Sequence, residues 1–217
     1  MMKNLVIIGA RGFGREVLWM ARGTREYRAG EWSIKGFLDD KKDALDGLRE
    51  PKDGFPPILG SVEAYQPQPD DVFICALGEA KWRRKYAQMI LDKGGRFVSI
   101  VSQNAYVASS ATIGPGCMIG GLTTISDNVT VGPFTMIHSF CTLGHDVTIG
   151  AYNSIESHCF FGGYSATGEE TTMHVRSAII PHKRVGNRVS VGFGSVVMRN
   201  CGDDVHLFGN PAKRLDY

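Results

Sequence analysis

Residues 118–132 read Met118-Ile119-Gly120-Gly121-Leu122-Thr123-Thr124-Ile125-Ser126-Asp127-Asn128-Val129-Thr130-Val131-Gly132. Ile119, Ile125 and Val131 fall at every sixth position, and glycine follows two of them. The beat extends both ways. From Val107 through Ile113, Ile137, Leu143, Ile149, Ile155 and Phe161 to Val197, fifteen of sixteen such positions are apolar, and Thr167 is the exception. Glycine comes next at 114, 120, 132, 144, 150, 162, 168, 186 and 192. A period of six matches neither the 3.6 of a helix nor the 2 of a strand, so it marks a repeat solenoid. One apolar residue per short strand points inward, and the small residue beside it lets the backbone turn where a Cβ would crowd.

Upstream the grammar differs. Leu5–Ile8 predicts a buried strand, 14–22 a helix with Val17, Leu18 and Ala21 on one face, 34–38 a second strand and 72–77 a third. A helix over 81–93, stopped by Gly94, and a strand over 97–101 follow. The proline-bearing stretch 41–57 reads as loop, and 62–65 as one helical turn. Strands alternating with helices imply a small parallel α/β sheet. Two domains are expected: residues 1–101, and 102–217 as the solenoid with a C-terminal tail.

The 217 residues carry 24 basic and 22 acidic side chains, a net charge of +2, which gives no argument for nucleic acid or membrane binding. No apolar run approaches the roughly 20 residues that span a bilayer, and Met1–Ile8 lacks the form of a signal peptide, so a cytoplasmic protein is expected. The five cysteines form no C-x-x-C pair and read as buried reduced thiols rather than a disulfide framework or zinc site.

Two places carry chemistry. Gly9-Ala10-Arg11-Gly12-Phe13-Gly14 joins the first strand to the first helix, where glycines let the backbone approach a phosphate and the helix end favours an anion. Its spacing is G-x-x-G-x-G, so the dinucleotide fingerprint is not met; a purely structural turn is the alternative. The other is Leu143-Gly144-His145-Asp146, which sets a histidine beside an acid. An imidazole titrates near neutrality and suits proton abstraction, and a carboxylate holds its tautomer. Neighbours on an extended strand point apart, so Asp146 serves His145 only if the chain turns there. A surface-loop histidine is the alternative.

The repeat, with the closing Phe208-Gly209-Asn210-Pro211-Ala212-Lys213, resembles the hexapeptide-repeat acyltransferases. The whole chain is similar to their sugar acetyltransferases of the sialic acid O-acetyltransferase and UDP-amino-sugar N-acetyltransferase type. The resemblance implies a small Rossmann-like α/β domain followed by a left-handed parallel β-helix of about five coils. It implies acetyl-CoA as co-substrate, a nucleotide-sugar substrate, no metal, and a homotrimer with acetyl-CoA between neighbours. It assigns His145 as general base with Asp146 raising its basicity. Gly163, one coil on, would donate its N–H to the developing oxyanion, and Ser154, Val175 and Phe193 would contact the cofactor. Arg11, Gly12 and Phe13 would line the diphosphate, Asp39 and Asp40 meet the nucleoside (an exposed turn otherwise), and Gly78 close the site. Two residues depart from the pattern: Phe13 stands where members often have a polar or small residue, and Ser154 where one branch has histidine.

The expected activity is acetyl transfer to the amino group of a nucleotide-linked amino sugar. The alternatives are O-acetylation of a sugar hydroxyl such as that of sialic acid, a non-enzymatic scaffold, which the intact Gly144-His145-Asp146 disfavours, and a metal hydratase, which the histidine spacing disfavours. The same solenoid hosts several activities, so the period argues fold more strongly than function. The polar segment 164–174 reads either as a loop over the site or as a poorly filled coil.

Overall fold

A computed structural model describes residues 2–49, 51 and 54–215. The chain divides into two compact units, Met1–Ile100 and Val101–Tyr217. Among the described residues no helix is long and apolar enough to cross a membrane.

The first unit is a parallel sheet with helices. Its elements are β1 (Lys3–Ile8), α1 (Gly12–Gly23), α2 (Arg25–Arg28), β2 (Trp32–Leu38), β3 (Ile58–Gly60), β4 (Asp71–Cys75), α3 (Ala80–Asp92) and β5 (Arg96–Phe97), with strand order β3-β2-β1-β4-β5. Central β1 is covered on both faces, which is why Leu5 to Ile8 is an unbroken apolar run rather than an alternating one. Helix α1 buries Gly14, Val17, Leu18 and Ala21, the face its spacing predicts. It starts at Gly12, two residues before the expected position, because Arg11 is extended and serves as N-cap without a side-chain cap. Edge strand β3 was absent from the sequence reading. Three residues after two prolines give almost no periodic signal, and the strand is held by β2, with Phe37 donating to the Pro57 carbonyl at 2.9 Å. The expected strand over 97–101 breaks into Arg96–Phe97 and Ile100–Val101.

A buried carboxylate pins the start of β4. Asp71 accepts from Lys35 Nζ at 2.8 Å, the Tyr65 hydroxyl at 2.7 Å and the Gln68 N–H at 2.9 Å. Desolvation alone would raise its pKa, but these donors, Lys35 foremost, hold the carboxyl below the ordinary carboxylate value.

The second unit is the left-handed parallel β-helix. From Ile100 to Val197 its strands are two residues long, and successive strands of each sheet pair in parallel eighteen residues apart, as Thr124–Ile125 does with Thr142–Leu143. Three flat sheets result. One runs from Tyr106–Val107 to Val196–Val197, a second from Thr112–Ile113 to Arg184–Val185, and the third includes Met118–Ile119 through Ser190–Val191. The second residue of each pair points inward, so Ile125, Leu143, Phe161 and Ile179 pack on one another at 0% exposure. His206–Phe208 adds to the third sheet and Lys213–Arg214 pairs antiparallel with it, covering the Ser190–Val191 end of that sheet.

One expectation is corrected here and one open alternative is decided. The repeat glycines do not make the turns. A Cβ on Gly132 would lie 2.6 Å from Ala151 N and Gly150 C, so glycine is required by the approach of the next coil. The turns are made two residues later by non-glycine residues in the left-handed region, among them Asn128, Asp146, Tyr164 and His182 at φ of 55°, 59°, 62° and 62°. Such a conformation costs roughly 1–2 kcal/mol per L-residue. It is offset by corner hydrogen bonds such as Tyr164 N–H to His145 O, 3.1 Å. Nor is 164–174 a loop. It is a regular coil with strands Ala166–Thr167 and Thr172–Met173. Thr167 sits inside at 6% exposure, its hydroxyl accepting from Asn153 Nδ2 at 3.0 Å. The missed beat is a satisfied internal hydrogen bond.

All five cysteines are free and four are buried. Burial pushes the Cys75 thiol up to about 12.

Candidate active site

In the first unit a cleft of about 650 Å³ opens at the carboxyl ends of β1, β2 and β4. Ligands bind at this edge in open α/β sheets. Its lining includes Gly9, Arg11, Phe13, Asp39, Asp40 and Gly78. Gly12 is not among the lining residues. Gly9 has φ +96°, and a Cβ on Gly14 would fall onto the Gly9 carbonyl, so this turn demands glycine at both positions. The first turn of α1 holds no acid, which leaves the positive end of its dipole toward the cleft uncompensated.

The two acids have separate tasks. Asp39 accepts from Ala10 N–H through one oxygen and Lys41 N–H through the other, both at 2.9 Å, and so braces the glycine turn. Asp40 accepts from the Tyr86 hydroxyl at 3.2 Å. Burial and the nearby Asp40 raise the Tyr86 pKa, so the phenol keeps its proton near neutral pH. Buried Arg83 donates to the Leu77 and Gly78 carbonyls at 2.6 and 3.0 Å and fixes the loop that ends β4. Trp82 and Tyr86, stacked with ring centroids 6.3 Å apart, form the α3 wall. The sequence reading placed a helix over 81–93 and gave neither Trp82 nor Tyr86 a role in the cleft. The signal available was their i, i+4 spacing, which puts both rings on one side of the helix.

In the second unit one corner column collects the candidate catalytic residues. Asp146 turns the chain, as required, and its Oδ2 lies 2.8 Å from His145 Nδ1. Asn128, one coil earlier, donates to Asp146 Oδ1 at 2.7 Å. The Asp146 pKa is lowered first by Asn128 and then by His145, so it accepts from Nδ1–H and leaves Nε2 as a proton acceptor. Gly163 lies one coil beyond His145. A Cβ there would sit 2.8 Å from His145 Nε2, so only glycine lets the imidazole lie across this corner. Among the described residues the Gly163 N–H has no acceptor, while its neighbours Gly162 and Tyr164 donate to Ile179 O and His145 O. Tyr164 meets His145 edge-on with centroids 5.1 Å apart and stacks on His182 at 4.9 Å. Asn128 and Tyr164 were not anticipated, although both stand eighteen residues from Asp146.

The expected cofactor residues divide. Gly163 belongs to the His145 corner, while Val175 and Phe193 occupy another corner, the one following the third sheet, and Ser154 stands on that sheet. Within one chain the two groups sit at different vertices of the triangular section. Among the described residues no group of three or more His, Cys, Asp or Glu could hold a metal ion.

Residues 4–90 match the family described as the PglD N-terminal domain, and 122–163 match the bacterial transferase hexapeptide family (six repeats). Over 118 residues the chain is 28% identical to the UDP-N-acetylbacillosamine N-acetyltransferase of Bacillus subtilis (strain 168). That alignment covers 54% of this chain and 51% of the relative, about half the length of each. Two solved structures share the fold. The acetyltransferase domain of PglB from Neisseria gonorrhoeae FA1090 is 24% identical at a TM-score of 0.85, with 98% of this chain and 100% of that one covered. A variant of perosamine N-acetyltransferase from Caulobacter crescentus, in complex with CoA and GDP-perosamine, is 23% identical at 0.85, with 100% and 99% covered. The two family matches thus fall in chain order, one in each unit, on a fold shared with both solved structures.

Proposed function

We propose that the protein transfers the acetyl group of acetyl-CoA to the amino group of a nucleotide-linked amino sugar. The observation that carries this reading is the corner where His145, oriented by Asp146 at 2.8 Å, lies against Gly163, whose N–H has no acceptor among the described residues. The amine nitrogen attacks the thioester carbonyl, Nε2 takes the proton the nitrogen loses, and Gly163 N–H stabilises the oxyanion. Collapse expels the CoA thiolate, which takes up a proton. The thioester is already activated, so positioning and one base suffice without a covalent enzyme intermediate. The nucleotide diphosphate would lie at the glycine turn and the α1 N-terminus, with Asp40, Tyr86 and Trp82 toward the nucleoside.

The relatives support the substrate classes by what they are called: a UDP-sugar N-acetyltransferase, an acetyltransferase domain also solved with acetyl coenzyme A, and an enzyme solved with CoA and GDP-perosamine. A homotrimer fits the division of residues between vertices, because a neighbouring copy can bring Ser154, Val175 and Phe193 to the His145 corner.

The test is thiol release from acetyl-CoA with UDP-, dTDP- and GDP-linked amino sugars and free sialic acid, run on wild type and His145→Ala. Turnover of one amino sugar, falling about 10²–10⁴-fold in the variant, is expected. Turnover of a hydroxyl acceptor alone would replace the amine by O-acetylation, and undiminished turnover in the variant would remove His145 from the mechanism.

A further inference from the structure

The solenoid carries a second polar cluster away from the His145 corner. Glu156 Oε1 lies 3.1 Å from His174 Nδ1, one coil on, and Glu156 Oε2 accepts the Val175 N–H at 2.9 Å. His174 Nε2 lies 3.3 Å from Ser190 Oγ. The His174 ring faces that of Phe193 with centroids 4.8 Å apart and planes 24° apart. An ionised carboxylate only accepts, so Nδ1 carries the proton and Nε2 accepts from Ser190. With both nitrogens engaged, the imidazole cannot rotate without breaking two hydrogen bonds. Phe193, 61% exposed, is thereby presented on a fixed support. A single carboxylate thus sets the Val175 backbone directly and the Phe193 ring through His174.

We infer that Glu156, His174 and Ser190 are positioning residues for the acyl donor: they preset the Val175 backbone and the Phe193 ring as a wall for the pantetheine arm. The inference rests on the reading above that those two residues contact acetyl-CoA, and it assigns them its pantetheine arm. Pantetheine combines short methylene runs with planar amides, which suits a flat ring beside an aliphatic side chain. A wall fixed before binding saves the cost of ordering it, so the effect falls on donor affinity rather than on the chemical step. Glu156, His174 and Ser190 also have the connectivity of a nucleophile relay. Against that role, the Ser190 N–H is taken by the Val205 carbonyl at 3.0 Å and cannot serve as an oxyanion donor.

The experiment compares wild type, Glu156→Gln, Glu156→Ala and His174→Ala by steady-state kinetics in each substrate and by calorimetric binding of CoA, with thermal midpoints as the control for folding. The expected result is a KM for acetyl-CoA and a Kd for CoA raised about tenfold in His174→Ala and Glu156→Ala. Glu156→Gln, which keeps an acceptor for Val175, should lose less, while kcat and the acceptor KM move less than about threefold. Should His174→Ala unfold, the Glu156 pair decides. Unchanged donor KM and Kd in folded variants overturn the inference, as does a fall in kcat at unchanged donor KM. An acetyl group on Ser190 after turnover, read by mass spectrometry, overturns it in favour of a nucleophile. Wild type that neither binds nor consumes acetyl-CoA overturns the proposed function itself.

Discussion

The two units set their neighbours by different rules. In the solenoid a residue meets those eighteen positions away, so Asn128, Asp146, Tyr164 and His182 form one column. In the α/β unit the order β3-β2-β1-β4-β5 brings Lys35 and Asp71 together across 36 residues by no fixed interval. Sequence distance is therefore a coordinate in one unit and carries little information in the other. A change in the solenoid should act on the adjoining coil, whereas a change in the sheet should act through topology.

Gly163→Ala is the sharpest test of that rule, because the added methyl meets a side chain eighteen residues away. We expect activity to fall about 10²-fold by displacing His145, with the thermal midpoint little changed. Full activity would mean that coil neighbours do not constrain the base.

Asp71→Asn tests the other unit. It removes the charge that pairs with Lys35 and replaces one acceptor oxygen by a donor, and breaking a buried pair costs about 3–5 kcal/mol. Lys35 is 30% exposed, so screening reduces the expectation to about 2–3 kcal/mol by denaturant unfolding. The folded carboxyl titrates below its ordinary 3.8. Its contribution is complete above that value and is lost as pH falls through the folded one, so the gap between variant and wild type should close on acidification. A gap that widens in acid would contradict the assignment.

Gly132→Ala and Gly12→Ala complete the contrast. The first forces a methyl against the next coil and should cost about 1–3 kcal/mol. The second meets nothing within 4 Å and should change stability by less than about 0.5 kcal/mol, measured the same way. Equal effects would dissolve the distinction between glycines demanded by coil spacing and those left by the turn.

The same contrast explains what the sequence disclosed. Strict repetition exposes the inward positions, so the β-helix was legible, and His145 stood out because it follows a repeat glycine and precedes an acid. Thr167 misled because an apolar count cannot register an internal partner such as Asn153. The turning role was given to the glycines because a left-handed aspartate or tyrosine has no compositional mark when main-chain bonds enforce it. In the α/β unit, strand β3 escaped because three residues carry no period, and the Trp82–Tyr86 wall because i, i+4 spacing puts two rings on one side of a helix without saying what that side faces. Asp39 and Asp40 looked alike in sequence, and only the fold sets one to brace the turn and the other to face Tyr86.

The eighteen-residue coil also sets which insertions and deletions this gene can survive. A whole coil gained beyond Phe193 leaves every vertex in phase, and the ladder grows with the His145 corner intact. Six residues gained between Asp146 and Gly163 preserve the apolar beat and the fold, yet advance everything downstream by one vertex and carry Gly163 off His145. A single residue gained there reverses inside and outside for the rest of the ladder. Length variation in such a chain is thus quantised: whole coils keep both the beat and the vertex, other multiples of six keep the beat alone, and remaining steps keep neither.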